Sequence, residues 1–129
     1  MAYIIDAHAL IWHFTNDSKL GANARKVMNR IDAGDERGLI PTIVLAEILY
    51  ASERGRISLT LGDVLIELKQ HKHYRTVPFT QKILRRVEKV KRVPELHDRL
   101  IVATAIEYKA IVITRDADIV NSSEVETVW

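Results

Sequence analysis

Four acidic residues stand in apolar surroundings along this chain. Asp6 follows Tyr3-Ile4-Ile5. Glu47 sits inside Ile43-Val44-Leu45-Ala46-Glu47-Ile48-Leu49. Asp98 opens Leu100-Ile101-Val102-Ala103, and Asp116 follows Ile111-Val112-Ile113-Thr114-Arg115. A lone buried charge is strongly disfavoured, so four such carboxylates with no obvious local cation to pair with point to a site that holds metal ions. Mg²⁺ takes oxygen ligands and binds one or two carboxylates directly. Two such ions ~3.5–4 Å apart stabilise both the attacking and the leaving oxygens of a phosphoryl displacement. That chemistry needs about four acids from elements that converge in space, not a fixed spacing along the chain. Without cations, each carboxylate pair ~4 Å apart repels by ~4 kcal/mol at an effective dielectric of 20. Such crowding raises a pKa, and cation binding relieves it and stabilises the fold.

Each acid also has a purely structural explanation. Asp6 can cap the helix that follows it. Glu47 shares its segment with Glu53 and Arg54 and can face solvent or pair. Asp98 in the first turn of a helix favours the macrodipole whatever its function, and Asp116 and Asp118 can be turn residues. The metal reading rests on the four together.

The elements that must position them are short strands alternating with longer helices. Tyr3–Ile5 reads as a first strand, followed at once by a helix from Ala7 to Phe14. Val27, Met28 and Ile31 keep helical spacing within residues 24–31. Gly34 to Gly38 breaks that helix, and Leu39-Ile40 is a short second strand. Thr42 is expected to cap a helix that stops near Gly55. Thr60, with Asp63 three residues on, opens another over residues 61–72. Residues 75–78 read as an edge-like third strand. Thr80 then caps a helix with Ile83, Leu84, Val87 and Val90 on one face, which Pro94 is expected to end. Residues 97–108 are apolar nearly all round the middle of the segment, which marks a helix packed on several sides. Residues 110–113 read as a strand, and 125–129 as the last one. Strands alternating with helices imply parallel pairing through right-handed crossovers, hence a three-layer α/β/α domain with a short central parallel sheet. Ligands of such sheets bind beyond the carboxyl ends of the strands, where Asp6 and Asp116 fall.

The 129 residues suit one domain, 1–129, with 47% apolar and 28% charged residues. No apolar run approaches the ~20 residues of a membrane span. Met1-Ala2-Tyr3 lacks the basic region of a secretory signal. Without cysteine there is no disulfide, thiolate site or zinc finger. These features lead us to expect a cytoplasmic protein without membrane association. The net charge is +2, so gathering the acids in one pocket leaves a distinctly basic remainder able to attract an anionic polymer.

Four segments carry a resemblance that covers essentially the whole chain. They are Ile4-Ile5-Asp6-Ala7-His8-Ala9-Leu10, Val44-Leu45-Ala46-Glu47-Ile48, residues His97 to Ala105, and Ile113-Thr114-Arg115-Asp116-Ala117-Asp118. In this order they resemble the PIN-domain nucleases, and within them the VapC-type toxin of VapBC toxin–antitoxin pairs. The resemblance implies a PIN-like fold in which Asp6, Glu47, Asp98 and Asp116 are catalytic. They would coordinate Mg²⁺ or Mn²⁺ and position water for attack on an RNA phosphodiester, leaving a 5′-phosphate and a 3′-hydroxyl. Thr114 matches a hydroxyl residue able to hold a carboxylate or a metal-bound water, and Asp118 a further, less uniformly used acid. Ala7 departs from the Thr or Ser often found after the first acid. His8 either touches the substrate phosphate or hydrogen-bonds near the helix start, and His97 reads as an exposed turn residue. The implied partners are RNA, an antitoxin protein and a second copy of the chain.

Lys82, Arg85, Arg86, Lys89 and Arg92 lie opposite the stripe led by Ile83, giving a basic helix face for RNA phosphates or simply for solvent. Lys69, His71, Lys72, His73 and Arg75 form a second basic cluster. Trp12, Phe14, Ile48, Leu49, Tyr50, Leu61, Leu65 and Leu68 crowd the N-terminal half, as core or as a groove for an antitoxin and a dimer contact. Two rival functions follow. An aspartate-based phosphohydrolase would want an Asp where His8 stands. A receiver-like domain would want an Asp after the third strand and a Lys after the fifth, which Val77-Pro78-Phe79 and the C-terminal tail do not supply. A non-catalytic PIN-fold module binding RNA or a partner is the remaining alternative, and it would be expected to have lost one of the acids.

Overall fold

The structure, a computed structural model, describes residues 1–129. Strand β1 (Ala2–Ile5) leads into α1 (Ala7–Phe14) and α2 (Ala22–Asp32). Strand β2 (Arg37–Pro41) is followed by α3 (Thr42–Glu53) and α4 (Leu61–Gln70). Then come β3 (Tyr74–Val77), α5 (Gln81–Val87), α6 (Leu96–Tyr108), β4 (Ile111–Ile113), α7 (Ala117–Ser122) and β5 (Thr127–Val128). All strand pairs are parallel, in the order β3-β2-β1-β4-β5. The register sets Ile4 beside Leu39 on one side and Val112 on the other.

That order fixes where a site can be. The chain steps outward from β1 to β2 and β3, then returns across the sheet to place β4 on the other side of β1. Successive connections therefore leave β1 and β4 in opposite directions, which opens a crevice at their carboxyl ends. Helices α1 to α4 pack among themselves and on β2 and β3. Helices α5, α6 and α7 form a second group, with α6 lying on both β1 and β4. The result is the expected three-layer α/β/α arrangement. Central β1 is buried at every position and edge β3 only at its two ends, as a strand covered on both faces and a strand at the rim should be. Side chains of Ile4, Ile5, Leu10, Met28, Ile40, Ile48, Ile101 and Ile113 lie fully within one continuous core. No helix is long and apolar enough to cross a membrane.

Local chemistry explains most element ends. Thr60 and Asp63 form the reciprocal capping box of α4, and Thr80 caps α5 through the Ile83 N–H. Helix α3 closes with Gly55 in the left-handed region, the Arg56 N–H donating to Ala51 O and the Gly55 N–H to Ser52 O.

Four expectations are corrected. Thr42 does not cap α3: it is the first helical residue, and its hydroxyl donates to Val77 O, tying α3 to the end of β3. Helix α5 stops at Val87, well before Pro94. The Val87 carbonyl accepts from Arg99 Nη2 at 2.7 Å and from the Val90 N–H in a tight turn, so the next helical N–H finds it taken. Leu84 is not on the buried face of α5 but 47% exposed. The short helix α7 follows Asp116, where the sequence suggested only a turn.

Helix α6 ends with Lys109 at φ 52°, the Ala110 N–H donating to Ala105 O. A side chain in this left-handed position is disfavoured by about 1 kcal/mol relative to glycine. Lys109→Gly is therefore expected to raise the thermal midpoint by a few degrees, measured by circular dichroism.

Candidate active site

Asp6 is the residue at which β1 turns into α1, and each of its oxygens is held. Oδ1 accepts from the Ala7 N–H at 2.8 Å, so the capping role is real, and Oδ2 accepts from Thr114 Oγ1 at 2.6 Å. Thr114, buried at the end of β4, also accepts the Asp116 N–H at 3.1 Å. One hydroxyl thus fastens the ends of the two switch-point strands together and sets the backbone of the second acid. Asp116 in turn caps α7, its Oδ1 accepting from the Ile119 N–H at 3.1 Å.

The other acids arrive from opposite layers. Glu47 projects from the middle of α3, between the buried Val44 and Ile48, and its Oε1 is buried with no hydrogen-bond partner. Asp98 lies in the first turn of α6 without serving as its cap. Glu95 caps instead, its Oε2 accepting from the Asp98 N–H at 2.9 Å, which leaves the Asp98 carboxylate to the crevice. Asp118, in the first turn of α7, is drawn in as well. Asp98, Asp116 and Asp118 offer ligand oxygens that all lie within 4.8 Å of one another.

The acids perturb one another as a converged cluster must. Burial raises the Asp6 carboxyl above its usual range, with the Asp116 charge adding to it and the Thr114 and Ala7 hydrogen bonds opposing. Burial, then the charges of Asp6, Asp98 and Glu95, push Glu47 up to about 7. Burial and the charges of Asp116, Glu95, Asp6 and Asp118 raise Asp98 to about 6.

Cations close in sequence do not relieve this. No Lys, Arg or His forms an ion pair within 4.0 Å with Asp6, Glu47, Asp98, Asp116 or Asp118. Arg99, next to Asp98, is turned to the Val87 carbonyl. Arg115, next to Asp116, lies over the Trp12 ring at 4.4 Å from its centroid. An all-oxygen donor set, an orphaned carboxylate oxygen and no competing cation fit a hard divalent ion.

His8 is exposed on α1 and makes no side-chain hydrogen bond. It stacks on Trp12 with ring centroids 5.0 Å apart, so the expected hydrogen bond near the helix start is replaced by ring packing. His97 is exposed and lies 3.3 Å from Glu95, at the first turn of α6. The basic face of α5 is largely compensated. Lys82 pairs with Glu107 at 2.9 Å, Arg86 pairs with the same carboxylate, and Arg85 pairs with Glu88 at 3.1 Å, whereas Lys89 and Arg92, expected on the same face, lie beyond the end of α5 and make no ion pair. Glu107 is nine residues beyond Asp98 on α6, roughly 13 Å along the helix axis. Sequence reasoning gave no role to Glu95, Arg115 or Trp129. Glu95, three residues before Asp98, is a readable capping signal, and Arg115 lies between Thr114 and Asp116 in the segment Ile113-Thr114-Arg115-Asp116. The approach of Trp129 to Trp12 had no signal in sequence.

The raised acids set the sign of the pH dependence. Between about 4.5 and about 7 the folded, metal-free protein holds a Glu47 proton that the unfolded chain has released. Stability therefore falls as pH rises through that window and levels off above it. The melting temperature in EDTA is expected to be higher at pH 5 than at pH 8. Glu47→Gln should flatten this difference, and Mg²⁺ should stabilise the parent protein more at pH 8 than at pH 5. A scanning fluorimetry series in EDTA and in Mg²⁺ measures all three.

Comparison with known proteins bears on the family and the fold. The PIN domain family model matches residues 3–124. No curated protein sequence matches significantly. Among solved structures, VapBC2 from Rickettsia felis, bound to a DNA fragment from its promoter, has a chain that superposes with a TM-score of 0.74 at 17% identity, covering 99% of this chain and 98% of that one. DNA-bound VapBC from Salmonella typhimurium gives 0.68 at 17% identity, covering 99% and 97%. A toxin–antitoxin complex from Klebsiella pneumoniae gives 0.64 at 19% identity, covering 98% and 96%. At these identities the structural likeness speaks for the fold, whereas the family match spans nearly the whole sequence: the chain belongs to the PIN domain family.

Proposed function

We propose that the chain is a metal-dependent endoribonuclease, acting in the cytoplasm as the toxin of a toxin–antitoxin pair. The observation that carries this reading is the gathering of Asp6, Glu47, Asp98, Asp116 and Asp118 at the β1/β4 crevice with no ion-paired cation. Membership of the PIN family and the fold shared with toxin–antitoxin structures support it.

Asp98, Asp116 and Asp118 would hold Mg²⁺ or Mn²⁺, with Asp6 and Glu47 completing the acidic wall. The ion, when bound, would offset the charge that builds on the phosphate and lower the pKa of water. The chain's own residues supply rigidity. Thr114 fixes Asp6 and the Asp116 backbone with one hydroxyl, and the caps at α6 and α7 fix the approach of the remaining acids. Hydrolysis forms a bond from the water oxygen to phosphorus and breaks the P–O3′ bond, with one water proton ending on the 3′-oxygen. The products are a 5′-phosphate and a 3′-hydroxyl. Lys89, with the partly compensated Lys82, Arg85 and Arg86, lines a concavity of about 480 Å³ that also includes Lys91. Given its distance from Asp98, this ridge would contact phosphates away from the one cleaved. Leu49 and Tyr50 of α3 and Leu65 and Ile66 of α4 stay 40–58% exposed, an apolar surface suited to an antitoxin segment or a second copy of the chain.

Purified protein is expected to cleave a structured RNA in Mg²⁺ or Mn²⁺ and not in EDTA. Asp98→Asn should lower the rate at least about hundredfold. Thr114→Val, which removes both hydrogen bonds of the hydroxyl, should lower it about ten- to hundredfold. Metal-independent cleavage, or full activity in Asp98→Asn, would remove the basis of the reading. Metal binding with no cleavage of any RNA would favour a non-catalytic module.

A further inference from the structure

We propose that Arg115 and Lys19, mounted on the ring of Trp12, form a phosphate-binding subsite that holds the RNA strand against the acidic crevice. The proposal rests on the nuclease reading and adds the group that receives the substrate.

Two hollows flank the acids. One, about 210 Å³, is lined by Asp6, His8, Thr114, Arg115, Asp116 and Trp129. The other, about 410 Å³, includes His8, Trp12, Lys19, Glu47, Tyr50 and Arg56. They meet at His8, which stacks on Trp12. The same indole carries the Arg115 guanidinium at 4.4 Å and Lys19 Nζ at 5.7 Å from its centroid. One aromatic side chain thus anchors a cation for each hollow.

Arg115 is exposed and makes no ion pair or side-chain hydrogen bond with the protein, though Asp116 is its neighbour in sequence. The guanidinium lies over the Trp12 ring and no protein acceptor takes its N–H groups, so its fork is free to grip two oxygens of a phosphate. The support is built from a distance. Trp129 packs edge-on against Trp12 with centroids 5.9 Å apart and comes within 6.0 Å of the guanidinium. It fits only because residue 21 is glycine: a Cβ there would fall 2.5 Å from Trp129 Cδ1 and 2.6 Å from its carbonyl carbon. An anionic polymer entering a crevice of carboxylates is repelled by them until cations at its rim hold it, and Arg115 and Lys19 stand at that rim.

Binding of a short fluorescent single-stranded RNA to Asp98→Asn protein in Mg²⁺, measured over a range of salt, tests the subsite. Adding Arg115→Ala should weaken binding about tenfold or more and lower the salt slope by about one, with the melting temperature unchanged. Arg115→Lys keeps the charge but not the fork, so it should keep the salt slope while still binding more weakly. Gly21→Ala, which displaces Trp129 and leaves Arg115 chemically intact, should weaken binding in the same direction. In otherwise native protein, Arg115→Ala should raise KM more than it lowers kcat. Parental affinity and slope in Arg115→Ala, with metal-dependent cleavage intact, would overturn the subsite and leave the nuclease reading standing. Loss of binding to a polyglutamate peptide with RNA binding unchanged would assign Arg115 to a protein partner and overturn it equally. Parent protein that neither binds nor cleaves RNA would remove both.

Discussion

Carboxylates drawn together out of water repel one another, and the organisation of this molecule follows from holding five of them in place without pairing them with a cationic side chain. The strand order supplies the location, because the chain reverses direction across the sheet between β1 and β4 and leaves an open crevice there. Both helical layers contribute, Glu47 from α3 on one side and Asp98 from α6 on the other. The Thr114 hydroxyl joins the two strand ends through Asp6 and the Asp116 N–H. A cluster of this kind is destabilising in isolation, and it persists because a continuous core and short, well-capped elements fix its members.

The same logic governs the cations. Arg99 and Arg115 sit one residue from Asp98 and Asp116 and would quench the site if they turned inward. Arg99 instead donates to Val87 O, where it also ends α5. Arg115 instead lies on Trp12, whose surroundings extend to Trp129 and Gly21. Diverting these two side chains leaves oxygen ligands free for a divalent ion, and leaves a guanidinium free at the rim. The raised acids of Glu47 and Asp98 are the energetic mark of that choice.

Much of this was legible in the sequence, and the physical reason is burial. The alternation of strands and helices, the crossover topology and the acids at strand ends are set by hydrophobic periodicity, which is local. Caps within three residues, such as Thr60–Asp63 and Thr80, were equally readable. What escaped was set by contacts between distant segments. Thr42 looked like a cap but bonds to Val77, 35 residues on. Helix α5 seemed to run to Pro94 until a guanidinium from α6 claimed its last carbonyl. The basic face of α5 looked free until Glu107 of α6 paired with Lys82 and Arg86. Asp118 appeared secondary, yet α7 swings its carboxylate beside those of Asp98 and Asp116.

Crystals grown with Mn²⁺ and measured at the manganese absorption edge test most directly whether the unpaired acids form a divalent-metal site. The expected anomalous peak lies at the β1/β4 crevice, within coordination distance of Asp98 and Asp116 oxygens, with Arg99 and Arg115 still turned away. A map with no peak there, or with either arginine swung inward to pair with the acids, would contradict it.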